Sequence, residues 1–280
     1  MPGGRRYQLA WVIICLLPLA SARVIAQPTD LRTEFADALA EFDDAQQVQL
    51  DQPDRARRLF RSAAQRFSSI IAAGVVNGRL EFNLANCYLQ AGDVGRAILH
   101  YRRAQRLIPR DEMLADNLAV ARSRCLTSIR PTRRSAFLQS VFFWHYQTPV
   151  GGRTQVALVL YIALWALLVV RNFIPRRAIT VSGIVCALLA GAAASSVGIT
   201  RWSDRNAPDG VVTAMDVVVY KGPGPGYQRQ FEEPLQPGVE FNLRQRRGDW
   251  WKIELADGKS GWIDATQAEL ITTDRAKLRL

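Results

Sequence analysis

The sequence predicts a multi-domain chain made of α-helical repeats, a two-helix transmembrane hairpin and a small all-β barrel. Three observations predict it. Apolar residues from Leu31 to about Arg124 recur every three to four positions, the period of packed helices. Two apolar runs, residues 154–173 and 178–200, are each long enough to cross a bilayer core, which needs about 20 helical residues. After Trp202 the pattern changes to short alternating strands between turns rich in Gly, Pro and Asp.

The expected organisation is a signal peptide over 1–26, a helical repeat domain over 27–130 and a juxtamembrane, interfacial segment over 131–153. Transmembrane helices follow over 154–174 and 178–200, then a barrel over 205–272 and a tail over 273–280.

The N-terminal stretch has Arg5 and Arg6, an apolar run from Tyr7 to about Ala20, then small residues at Ala20-Ser21-Ala22 and Ala26. That is the layout of a secretory signal peptide, with cleavage fitting after Ala22 or, preferably, Ala26. An uncleaved anchor is the alternative. In both cases the chain that follows is expected outside the cytoplasm.

The net charge of +11 invites a nucleic-acid or membrane partner. Its distribution argues against nucleic acid. Residues 27–119 carry 12 basic and 13 acidic groups, and residues 201–280 carry 12 of each. The excess lies in residues 1–26, 120–153 and 154–200, which hold three, six and three basic groups and no acid. It therefore sits beside the apolar segments. The four cysteines fit no metal spacing, and only Cys87 and Cys125 could meet an oxidising compartment.

The connection between the apolar runs contains Arg171, Pro175, Arg176 and Arg177 and is too short to recross a membrane. The runs therefore form a hairpin whose flanks lie on one side, with the arginine-rich loop in the cytoplasm. Gly183, Ala187, Gly191 and Ser195 recur every four residues and are expected to form a packing face, either for the first span or for a partner's span. Ahead of the hairpin, residues 122–134 hold five arginines and no acid, and an aromatic stretch follows from Phe137 to Tyr146. An interfacial segment on anionic headgroups and a partner-docking helix both fit.

Within the helical region Ala56, Phe60 and Ala63 are repeated as Ala97, Tyr101 and Ala104, with the same internal spacing. Small residues at helix crossings, an aromatic between them and the terminating Pro109 form a helix–turn–helix packing code. With Leu84, Ala85 and Tyr88 ahead of the second trio, the stretch from Gly78 to Asp111 resembles the tetratricopeptide repeat. It departs from that pattern at Glu81, where an aromatic is usual, with Phe82 as the neighbouring substitute. The resemblance implies binding of an extended peptide or partner helix on a concave face lined by Arg79, Asn83, Asn86 and Asn117. Asn83 and Asn117 equally fit hydrogen bonds within the repeat itself. Cys87 reads as a small core residue.

The strands predicted after Trp202 are Val211–Thr213, Val217–Tyr220, Val239–Arg244, Trp250–Leu255 and Gly261–Ile263. With Gly222-Pro-Gly-Pro-Gly226, Gly248-Asp249 and Asp257-Gly258 between them, residues 208–271 resemble the bacterial SH3 domain. Tyr220, Trp250, Trp251 and Trp262 are the candidates for an aromatic ligand groove, although two of the three tryptophans also fit barrel packing.

Only two histidines, His100 and His145, occur, and neither has a ligand or catalytic partner at a telling spacing. With no nucleophile elbow, phosphate loop or dinucleotide fingerprint, the expectation is a non-enzymatic protein without catalytic, metal or cofactor residues. The order of segments resembles the E-type proteins of the Bat (aerotolerance) operon. That resemblance implies a scaffold in the bacterial inner membrane, with both soluble domains facing the periplasm. Its expected partners are von Willebrand factor A domain Bat proteins, beside a MoxR-type ATPase. The alternative is an envelope protein whose barrel binds peptidoglycan. No nucleic-acid partner is expected.

Overall fold

Helix capping by side chains divides the N-terminal half into separate helices. In a computed structural model that describes residues 28–125, 148–174 and 176–272, these are α1 (Pro28–Val48), α2 (Pro53–Ala72), α3 (Gly78–Ala91), α4 (Val94–Leu107) and α5 (Glu112–Ser123). Asn77, Asp93 and Asp111 each accept a hydrogen bond from a first-turn amide, those of Arg79, Arg96 and Leu114, at 2.8, 3.0 and 3.0 Å. These bonds satisfy donors that a helix start otherwise leaves unpaired. Each helix packs on the next through short connections. Both repeated trios are fully buried, and Phe82 packs on Tyr101 with ring centroids 5.9 Å apart.

The apolar runs form α6 (Val150–Phe173), which starts four residues ahead of its predicted span, and α7 (Arg177–Asn206), which extends beyond its predicted span at both ends. Both are long and apolar enough to cross a membrane, and only 0% and 11% of their most apolar windows are covered by protein. An apolar surface this bare is expected of helices that face lipid. The pair is antiparallel. The Cys186 thiol donates to the Leu160 carbonyl at 3.1 Å, and Arg153 donates to Ser196 and Thr200 at 2.7 and 3.2 Å.

The seam between α6 and α7 runs through Cys186, Ala193, Ser196 and Val197. The predicted small-residue face is rotated away from it. Ala187, Gly191 and Ser195 are exposed, and an added Cβ on Gly183 or Gly191 would meet nothing within 4 Å. A step of four residues overshoots the 3.6-residue turn, so such a row drifts around the helix instead of tracking one neighbour. Gly183 and Ala187 line a groove of about 250 Å³ with Leu164, Leu168 and Ile184.

The signal peptide, the aromatic stretch from Phe137 to Tyr146 and the tail over 273–280 lie outside the described residues.

The C-terminal strands are β1 (Asp209–Val212), β2 (Glu240–Arg247), β3 (Trp250–Leu255), β4 (Ser260–Asp264) and β5 (Ala268–Leu270). They form one antiparallel sheet in the order β4-β3-β2-β1-β5. The predicted strand Val217–Tyr220 is instead a set of isolated bridges, Val217 to Leu235 and Tyr220 to Arg229 and Trp262. Asp216, held at φ +52°, and the Gly-Pro turn after Lys221 interrupt the extended run on both sides. The short last strand, β5, which pairs with β1, is absent from the strands that alternation predicts. Ile253, Ile263 and Val217, all fully buried, centre the barrel core.

The helical layer and the barrel are docked on each other. Val211 and Ile271 join the same apolar cluster as Ile98, Tyr101 and Leu118. Around this apolar contact Arg102 reaches Asp209 and Glu240 at 3.3 and 3.0 Å. Arg103 donates to the Leu270 carbonyl at 2.9 Å, Arg106 to Thr272 at 2.9 Å, and Arg122 to both oxygens of Glu240 at 2.7 and 3.1 Å.

Candidate ligand-binding cleft

Alternation along β3 separates its two tryptophans. Trp251 points to the side of Ile253 and Leu255 and packs against the barrel core, with the Arg246 guanidinium 5.6 Å from its ring centre. Trp250 lies on the opposite face and is half-buried. There it meets Tyr220 edge-to-face, with ring centroids 5.8 Å apart and planes at 82°. Tyr220 is held in place by its backbone, which exchanges two hydrogen bonds of 2.8 Å with Trp262. Trp262 itself is only 7% exposed.

Of the four candidates, Tyr220 and Trp250 therefore form an accessible aromatic corner, while Trp251 and Trp262 hold the barrel together. Such a corner offers a flat apolar wall to a chain-like ligand, with polar tips at its edges.

The helical candidates are placed differently. Arg79 pairs with Asp111 at 3.1 Å. Asn86 accepts hydrogen bonds from the Tyr101 hydroxyl at 2.6 Å and from Asn117 at 3.0 Å. Those amides tie α3, α4 and α5 together instead of facing a ligand. Asn83 is half-buried on α3. Cys87 is fully buried, and burial pushes its thiol up to about 12, which makes it unreactive. Cys125 is half-buried where the two parts meet, 3.3 Å from the Pro237 carbonyl.

Two arrangements form only in the fold. His100 has a carboxylate partner after all, since Nδ1 lies 2.6 Å from Oε2 of Glu81, both side chains buried. The misplaced acid at a core position of α3 was the available signal. The second is the arginine row on α4. Its signal was three arginines at 102, 103 and 106 on one helix.

Glu240 meets that row at Arg102 and is gripped from α5 by Arg122. Burial in the interface raises its carboxyl, but the guanidiniums of Arg102 and Arg122 outweigh burial and hold it below the usual carboxylate range.

Residues 214–268 match the bacterial SH3 domain. The match covers the bridged segment, β2, β3, β4 and the start of β5, and so includes the whole aromatic corner. No curated protein and no solved structure matches the chain.

Proposed function

We propose that the protein is a non-enzymatic, membrane-anchored adaptor of the bacterial envelope whose SH3-like barrel binds a peptide-like ligand. The open corner of Tyr220 and Trp250, within the stretch that matches the bacterial SH3 domain, carries this reading. Helices α6 and α7 act as the anchor, in the inner membrane, with the helical layer and the barrel both facing the periplasm. Docking of the barrel on α4 supports that arrangement, because two parts that share an interface lie on one side of the bilayer. The peptides of peptidoglycan are the ligand class that such a location offers. The full chain in detergent micelles should sediment with purified cell wall and lose that property on Trp250→Ala. Sedimentation that is absent, or indifferent to the substitution, overturns the ligand reading.

A place in a Bat-type complex, with the helices as tetratricopeptide-like repeats, is the second reading. It is favoured by apolar helical residues that remain partly exposed, Phe35 and Leu39 on α1. Cross-linking should then recover von Willebrand factor A domain membrane proteins, and Phe35→Glu with Leu39→Glu should abolish the recovery.

A further inference from the structure

The link between the second apolar helix and the barrel is two residues, Ala207 and Pro208, which span at most about 7 Å. The apolar run of α7 ends near Thr200, so Arg201–Asn206 add about 9 Å of helix, roughly the depth of a headgroup layer. The barrel therefore begins at the lipid surface. Strand β2 lies beside this link, because the Leu243 amide donates to the Pro208 carbonyl at 2.9 Å. Beyond Leu243, β2 runs antiparallel to β1 and past its start. After a bulge at Arg244, Gln245–Arg247 pair with β3 alone and carry the hairpin about 10 Å further, beyond the start of β1.

That hairpin is where the barrel's positive charge is collected. Residues 244–252 contain Arg244, Arg246, Arg247 and Lys252 against Asp249 alone, although residues 201–280 as a whole are neutral. Arg244 is held by Glu254 at 2.7 and 2.9 Å. Arg246 and Arg247 are exposed at the tip, and the half-buried Trp250 follows them. Exposed arginines this close to the end of a span are attracted to anionic headgroups.

We infer that the β2–β3 hairpin rests on anionic lipid headgroups, with Arg246 and Arg247 as the contact, and so sets the barrel's orientation on the membrane. This rests on α6 and α7 being membrane spans, which resistance of the chain to alkaline carbonate extraction tests on its own. The hairpin is tested by photo-crosslinking. Benzoylphenylalanine is placed at position 249, or at position 257 in the turn at the opposite end of β3, in the full chain. Each is reconstituted in nanodiscs of phosphatidylcholine alone or mixed with an equal part of phosphatidylglycerol.

Adducts with phosphatidylglycerol are expected at 249 and not at 257. They should fall about fivefold for each arginine removed in Arg246→Gln and Arg247→Gln, the factor expected for about 1 kcal/mol per surface charge. Arg247→Gln alone leaves the Arg246–Trp251 contact intact and separates charge from folding. No adduct at 249, or adducts equal in both discs and insensitive to the substitutions, overturns the inference. So do equal phosphatidylglycerol adducts at 249 and 257.

Discussion

Arg122, in the last turn of α5, grips both carboxylate oxygens of Glu240, the first residue of β2, at 2.7 and 3.1 Å. The two residues are 118 positions apart, and between them lie both apolar helices. Arg102 completes the arrangement from α4 at 3.0 Å. Glu240→Gln keeps the shape but leaves two guanidiniums facing a neutral amide. The pair is partly screened, so the loss should be about 1–2 kcal/mol, between a surface and a buried pair. A lowered denaturation midpoint, with faster amide exchange in β1, would be the observation.

The same carboxylate makes docking depend on pH. Its folded pKa is depressed below the ordinary 4.5. Its stabilising contribution is therefore complete above about pH 4.5 and is lost as pH falls through the folded value. Melting measured from pH 7 down to pH 3 should show this loss, and Glu240→Gln should flatten that part of the profile. An unchanged profile in the variant would place the acid sensitivity elsewhere.

Gly238 tests how closely the two parts approach. It is in the left-handed region at φ +98°, and a Cβ there would stand 2.9 Å from Cδ1 of Ile98 on α4. Gly92 has a similar φ of +86° but open space around it. Gly92→Ala should therefore cost about 1 kcal/mol from the backbone alone. Gly238→Ala should cost about 1–2 kcal/mol more, because it also overpacks the interface. Trimming the neighbour with Ile98→Val should recover part of the second loss and none of the first.

How much of this was legible in the sequence depended on range. The trios Ala56/Phe60/Ala63 and Ala97/Tyr101/Ala104 are local patterns on single helices, and each trio is buried as its spacing implies. Trp250 and Trp251 fall on opposite faces because strand alternation is equally local. Docking was not legible. Adding charges over each region cancels the arginines of α4 against acids elsewhere in the helical layer, and Asp209 and Glu240 against bases elsewhere in the barrel. The two surplus patches meet only in the fold. The small-residue row on α7 is not the seam with α6, since Arg153 fixes that seam through Ser196 and Thr200, off the row, and the row's exposed part leaves only the partner's-span alternative for it.

Glu81 and His100 form a second long-range pair that spacing hid. Nδ1 and Oε2 are 2.6 Å apart, and the imidazole stacks on Tyr88 at 5.4 Å. Removing one member strands the other in a buried site. Glu81→Leu or His100→Leu should each cost about 1–3 kcal/mol, while the double variant should cost less than their sum. A double-mutant cycle from urea denaturation measures the difference, and additive losses would show that the two groups are not coupled.

The aromatic corner can be separated from the barrel's structural tryptophans by stability and binding measured on the same variants. Trp262 is 7% exposed, so Trp262→Ala should destabilise the barrel by about 3–5 kcal/mol. Trp250 is half-buried and meets Tyr220 by its edge, so Trp250→Ala should cost about 1 kcal/mol or less. Binding to cell wall should respond in the opposite sense, with Trp250→Ala weakening it at least about tenfold while the chain stays folded. Trp251→Ala should resemble Trp262→Ala, since its ring closes the core beneath Arg246. If Trp250→Ala unfolds the barrel as Trp262→Ala does, Trp250 is a packing residue and the corner is not a ligand site.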